Sequence, residues 1–436
     1  MKIVGSTSQQ IFDCVRSLVA IGELAPGQSL PTVRALALDL DVNRNTVALA
    51  YRRLAQAGVV VANGRQGTAV KPGQQLVSAE GIPPSSPLVD LGSGNPDQKL
   101  LPDAGKLLRR ITYRSCLYGE PLVSRELEEL GLAAMLPDCP GDSQLDLTHG
   151  AVDAIERLLI ACVPPGSKVA VEEPCFSGTI NTLRVLGLEA MPVRIDADGV
   201  CPSELREALA AGCRAVVLTP RAHNPTGSSI SAARARQISQ ILQDYPDVLT
   251  ILDDHFWLLS TEGFPRVWST RAGRWSLVRS LSKMYGPDCR LAFVASDPLT
   301  SRMLRHRLAP GTNWVSHLTQ DLASQLLQSN AATKRIQVAS KTYAARAEQL
   351  RNALTAQGLR HFPYSSGLNV WVPVNTSSHQ LAQAMSERGW FVRSAPAYSN
   401  CGDDGHVRVS IAQINLTTAY KFASTLRTQI TALSQQ

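Results

Sequence analysis

From Val89 onward, short apolar runs alternate with helical stretches, and that alternation limits what the chain can fold into more than any other feature. The runs lie at residues 168–171, 215–218, 249–252, 277–279 and 291–295. Unbroken aliphatic stretches of strand length are buried on both faces, as in a parallel sheet covered by helices. The pattern predicts an α/β domain with a large, mainly parallel sheet. A further α/β pattern after about Ser340 predicts a smaller C-terminal lobe. Ligands of such open sheets bind beyond the carboxyl ends of the strands.

Four polar features fall at those ends. Thr148-His149-Gly150-Ala151-Val152 opens a helix, and Gly150 there lets the first backbone N–H groups face an anion. Asn224, in Arg221-Ala222-His223-Asn224-Pro225-Thr226-Gly227, can hydrogen-bond a ring hydroxyl, although the same residues also make a plain turn. Asp253 follows the run at 249–252, where a carboxylate can hold a protonated pyridine nitrogen and turn the ring into an electron sink. A capping or salt-bridged aspartate is the alternative. Ser280-Leu281-Ser282-Lys283 follows the run at 277–279. A lysine so placed, partly desolvated and near cations, can form a Schiff base with an aldehyde. Ser280, Ser282 and Arg290 supply donors for a phosphate. Singly each is weak; in this order they converge on one cofactor.

The first 70 residues have a different organisation. Ile11, Val15, Leu18 and Val19 form a helical stripe that ends at Ala25-Pro26-Gly27. A second helix is predicted over residues 30–40 and a third over 43–57, stopped by Gly58, with Asp41-Val42-Asn43 as the turn between them. A strand, a turn at Asn63-Gly64 and a second strand at Gly67-Thr68-Ala69-Val70 follow. A helix-turn-helix reads the major groove with the N-terminal residues of its second helix, here Asn43, Arg44, Asn45 and Thr46. Arginine suits guanine, asparagine suits adenine, and threonine suits phosphate or a thymine methyl. Arg34, Tyr51 and Arg52 can hold phosphates or pack the helix, and Arg65 sits at the tip of the wing. Residues 1–73 carry eight basic against four acidic side chains, a net +4 of the chain's +7. Such concentration is what a surface meeting phosphates shows. A protein-binding three-helix domain is the alternative.

The run GELAPGQSLPTVRALALDLDVNRNTVALAYRRLAQAGVV and the wing GRQGTAV resemble the winged-helix domain of the GntR superfamily. That resemblance implies double-stranded promoter DNA as a partner, with Thr32, Arg34, Arg44, Asn45, Thr46 and Gly67 as contacts. The remainder resembles the aminotransferase class I fold through LYGEP at 117–121, EEPCF at 172–176, HNPTG at 223–227, LDDHF at 252–256, SLSKMYGPDCRLAF at 280–293 and HVRVS at 406–410. It implies pyridoxal 5'-phosphate bound as a Schiff base to Lys283. Asp253 would pair with the pyridinium, Asn224 with the ring hydroxyl, and Phe176 would stack on the ring. Gly150, Ala151, Val152, Ser280, Ser282 and Arg290 would hold the phosphate. Tyr118 would reach into a partner subunit's site, and Arg408 would clamp an effector carboxylate. His255 stands where the family usually has a tyrosine, so its charge is expected to respond to pH near neutrality. That departure puts efficient transamination in doubt.

A GntR-like head on an aminotransferase-like body resembles the MocR group of bacterial regulators. The resemblance implies a cytoplasmic homodimer whose DNA binding responds to pyridoxal phosphate, or to an amine or amino acid effector, and links it to vitamin B6 metabolism. The predicted organisation is a winged helix-turn-helix at 1–70, a linker at 71–88 rich in Pro, Gly, Ser and Gln, and a fold-type I cofactor domain at 89–436. A working aminotransferase with an accessory DNA-binding domain, and a body that has lost the cofactor, are the other two readings. No apolar run is long enough to span a membrane. Nine scattered cysteines without a C-x-x-C pair point to reduced thiols, with no metal site.

Overall fold

The computed structural model describes residues 3–20, 22–25, 27–62 except 57–58, 67–70, 81–83, 85–112, 114–268, 273–402 and 405–435. It divides into two compact units, one made of Met1–Val77 and Leu183–Glu189 and one made of Ser78–Thr182 and Ala190–Gln436.

In the first unit, helices Ser8–Ala20, Val33–Asp39 and Arg44–Gln56 precede an antiparallel pair, Val60–Ala62 with Thr68–Val70. The stripe of the first helix is buried as its spacing predicts, with Ile11, Val15 and Leu18 packed against Leu36, Val47, Ala50 and Leu54. The second helix starts at Val33, later than predicted. Residues before it pair with the wing instead: Leu30 donates its N–H to Thr68 O at 2.8 Å, and Val70 donates to Gln28 O at 2.8 Å. Thr32 then caps the helix by accepting from Ala35 N at 3.1 Å. The third helix runs over Arg44–Gln56, with the Asn43 side chain accepting from Asn45 N at 2.8 Å. Its predicted stop at Gly58 and the turn at Asn63-Gly64 lie outside the described residues, as do 71–80 and 84 of the predicted linker.

The second unit is built on an eight-stranded sheet in the order Gln144–Thr148, Ala292–Ser296, Trp275–Ser280, Leu249–Asp253, Ala215–Leu218, Lys168–Glu173, Glu189–Asp196 and Gly199–Val200. Strand Ala292–Ser296 is antiparallel to both its neighbours, whereas Trp275–Ser280, Leu249–Asp253, Ala215–Leu218 and Lys168–Glu173 pair in parallel. Two reversals across Ala292–Ser296 leave Gln144–Thr148 aligned with the parallel set. Thr148, Ser280, Asp253, Leu218 and Glu173 therefore all end strands on one side of the sheet. A small lobe follows, with the antiparallel strands Asn369–Pro373, His406–Ser410 and Arg393–Ser394 against helices Ser378–Glu387 and Leu416–Leu433. The helix leading to it, Asn330–Ala356, begins before the point where the sequence pattern places the lobe. Val89–Asp90 pairs in parallel with Trp390–Phe391. Among the described residues, no helix is long and apolar enough to cross a membrane.

Candidate functional site

The aligned strand ends open into a cavity of about 290 Å³. Phe176, Ala151, Val152, Asn224, Asp253, His255, Ser280, Ser282, Lys283 and Arg290 all line it, residues that the chain delivers from five separate strand–loop junctions. Lys283 lies in the short helix Ser282–Tyr285, one step beyond strand Trp275–Ser280, and its Nζ donates to Gly94 O at 2.6 Å. Gly150 (φ 99°) precedes helix Ala151–Cys162. A Cβ there would sit 3.4 Å from the Arg290 guanidinium carbon. Glycine thus lets that guanidinium and the helix N-terminus face the same space, an arrangement suited to an anion.

Asp253 is the most perturbed acid of the cavity. Burial, then the charges of Asp254 and Glu172, push its pKa from the ordinary 3.8 up to about 7, while Lys283 opposes the rise. Its Oδ1 is buried and accepts no hydrogen bond among the described residues. Folding therefore favours the protonated carboxyl. The stability this group contributes is fully present below about pH 4 and is lost as pH rises through about 7, a difference of up to roughly 4 kcal/mol. In denaturant unfolding without ligand, Asp253→Asn is expected to lose less stability than the wild type between pH 5 and pH 8. Parallel pH courses for the two proteins would contradict this.

His255 departs from expectation. Burial first, then the Lys283 charge, lower its pKa to about 4, so the imidazole is neutral around pH 7 and does not titrate there. Its Nδ1 lies 3.9 Å from Asp253 Oδ1, a contact between a neutral ring and an acid, not an ion pair. Behind the cavity, the buried Glu172 accepts from Thr219 N at 2.9 Å and stands 3.3 Å from His223 Nε2. Asp254 is neutralised by Arg221 and Arg279, each at 2.8 Å.

Two predicted residues lie elsewhere. Arg408 sits one step back from the cavity wall, wholly buried, with its guanidinium 4.7 Å from the Tyr398 ring. Its Nη1 donates to Asn224 Oδ1 at 3.1 Å and its Nη2 to Gly92 O. Tyr118 is outside the cavity, 93% exposed, with its ring edge-on to Trp314. The sequence reading missed the strap at residues 92–95. Its Gly92 carbonyl accepts from Arg408 and Arg393, its Gly94 carbonyl accepts from Lys283, and Gly94 and Asn95 line the cavity. The Gly-Ser-Gly-Asn-Pro composition of 92–96 was the available signal, and it also fits any turn.

In the first unit, Arg34, Arg44, Asn45 and Arg52 are exposed, and Thr46 is half-buried. Thr32 is exposed, with its oxygen engaged in the cap and its hydroxyl hydrogen left to donate. Gly67 adopts φ 89°, which favours glycine at the start of the second wing strand. Tyr51 packs: it is buried, and its hydroxyl donates to Pro31 O at 2.9 Å. Arg65 lies outside the described residues.

Comparison with known proteins decides the family. Residues 86–426 match the aminotransferase class I and II family, and residues 7–70 match the gntR family of bacterial regulatory proteins. The vitamin B6 salvage pathway transcriptional repressor PtsJ of Salmonella typhimurium is 44% identical over 413 residues, 95% of this chain and 96% of the repressor. The chain belongs to the aminotransferase class I and II family and carries a gntR-type head, the organisation of the MocR group of regulators. The pyridoxine biosynthesis regulator PdxR of Corynebacterium glutamicum is 26% identical over 90% of this chain and 89% of that protein. In fold, the kynurenine aminotransferase of Pyrococcus horikoshii is similar with a TM-score of 0.71 at 18% identity, over 80% of this chain and 92% of the enzyme. Pyridoxal phosphate is the cofactor of this MocR body. The cavity fits it: Asp253 holds a buried acceptor suited to a pyridinium N–H, and a guanidinium with a helix N-terminus stands ready for a phosphate.

Proposed function

We propose that this chain is a cytoplasmic, homodimeric transcriptional regulator that binds promoter DNA and changes its affinity with the occupancy of the cavity. The ligand is pyridoxal phosphate, or an amine or amino acid that reacts with it, and the regulated genes belong to vitamin B6 metabolism. The observation that carries this reading is the cavity itself, with Lys283, Asp253 and Asn224 gathered in one place, in a chain so similar over its whole length to a B6 salvage repressor.

When bound, pyridoxal phosphate supplies an aldehyde for a lysine amine and a ring that draws electrons once its nitrogen is protonated. Lys283 is the amine. Asp253 would hold the proton at the ring nitrogen, Asn224 would meet the ring hydroxyl, and Phe176 would cover one ring face. Gly150, Ala151, Val152, Ser280, Ser282 and Arg290 would hold that group's phosphate. Neutral His255 can still donate one N–H. A carboxylate effector competes with the Gly92 carbonyl for Arg408, and Tyr118 completes the partner's site. The reading head, residues 1–70, contacts DNA through Thr32, Arg34, Arg44, Asn45, Thr46, Arg52, Arg65 and Gly67. It is joined through residues 71–88 to the sensor domain at 89–436.

The test is operator binding by fluorescence anisotropy with and without pyridoxal phosphate. A coupling of about 1–3 kcal/mol predicts a 5- to 150-fold change in affinity. Unchanged affinity, together with steady transamination at ordinary enzyme rates, would make the chain an aminotransferase that happens to carry a DNA-binding domain.

A further inference from the structure

Asn369 opens the small-lobe strand Asn369–Pro373, between the buried apolar residues Leu368 and Val370. It is itself buried, at 6% exposure. Its Nδ2 donates to Asn224 Oδ1 at 3.3 Å, the same oxygen that accepts from Arg408 Nη1 at 3.1 Å. Two donors on one oxygen decide which way the Asn224 amide faces, because the reversed amide would set its N–H groups against theirs. With Oδ1 so engaged, Asn224 can offer the cavity only its amide nitrogen, a donor.

Packing does not account for an amide at this position. The Asn369 Oδ1 is buried and accepts no hydrogen bond among the described residues. An acceptor left in that condition costs stability, a cost that a leucine, branched at the same carbon but without polar atoms, avoids. The amide thus costs stability and, among the described residues, its side chain makes a single hydrogen bond, to Asn224.

We propose that Asn369 is a positioning residue that, with Arg408, keeps the Asn224 amide nitrogen toward the cavity, so that Asn224 donates to an anionic ring oxygen of the ligand. The inference rests on the reading of the cavity as a pyridoxal phosphate site. A donor at the ring oxygen favours its full negative charge, which is greatest when the neighbouring imine nitrogen of the Lys283-bound vitamer has lost its proton. Weakening that donor keeps the imine protonated to higher pH. Asn369 also matters most when a carboxylate draws Arg408 away, since it is then the remaining donor on Asn224 Oδ1.

The experiment is a spectrophotometric pH titration of the full chain loaded with pyridoxal phosphate, for the wild type, Asn369→Leu, Asn224→Ala and the double variant. Asn369→Leu is expected to keep the visible band and the wild-type melting temperature or better. Its band should titrate roughly 0.4–1 unit higher, the equivalent of one net hydrogen bond. In the double variant the Asn369 change should add nothing to Asn224→Ala, because its effect passes through Asn224. Asn369→Ser, whose hydroxyl is too short to reach Asn224, should show the same upward shift and serves if the leucine variant folds poorly. An unchanged titration in both Asn369 variants, or full additivity with Asn224→Ala, overturns the assignment. A wild-type chain that develops no visible band overturns the cavity reading itself, and this assignment with it.

Discussion

Lys283→Ala is expected to abolish the visible absorption that pyridoxal phosphate develops on the wild-type protein and to weaken its binding at least about 100-fold, or roughly 2.7 kcal/mol. The lysine is the amine that lines the cavity, and its Nζ is directed at the Gly94 carbonyl on the strap at residues 92–95. Pyridoxal phosphate would supply an aldehyde, and Lys283 would hold it through its amine, with the aldehyde oxygen leaving as water. No other lysine lines the cavity among the described residues. Lys283→Arg is the informative control, since it keeps the charge but cannot form the imine. Both variants should lose the effect of the vitamer on operator binding while binding DNA like the ligand-free wild type. Lys283→Ala should also let the His255 pKa rise from about 4, because the lysine charge is one of the causes of its depression. A variant that keeps the visible band would move the covalent site to another residue.

Arg44→Ala is expected to lower operator affinity by about 1–3 kcal/mol, 5- to 150-fold, and to relax the preference at one base position. Arg44 is the first residue of helix Arg44–Gln56 and is exposed, and its neighbour Asn45 is exposed beside it. The helix itself is secured by Val47, Ala50 and Leu54 in the core, and by the Tyr51 hydroxyl on Pro31 O, so the substitution should leave the melting temperature within a degree or two. Arg34→Ala provides the contrast. If this exposed guanidinium meets phosphate alone, as proposed, its removal should weaken all sequences alike and reduce the salt dependence of binding. Binding measured on the operator and on single-base variants separates the two effects. Equal affinity of Arg44→Ala for every variant and for the operator, at the wild-type level, would remove this helix from the reading role.

How much of this was legible without coordinates differs from one residue to the next. Lys283, Asp253, Asn224 and the Gly150 junction stand in contiguous motifs at the ends of apolar runs, and in a parallel sheet those ends share one side. The direction of the strand Ala292–Ser296 was not legible, because an apolar run reads the same either way and only its pairing partners reveal the reversal. The start of the second helix moved to Val33 because residues 28–30 gain more by pairing with the wing than by extending the helix over Pro31.

Local order along the chain was enough to reveal the fold class and to single out candidate residues for the chemistry, since strand periodicity, turn residues and motifs are properties of neighbours. Three-dimensional packing decided the rest. Asn369 meets Asn224 across 145 residues, the strap meets Arg408 across 316, and His255 is neutral because burial and the cation of Lys283, from the helix after another strand, disfavour its charge. Burial and long-range contact set hydrogen-bond direction and ionisation, and neither is encoded in any short stretch of residues.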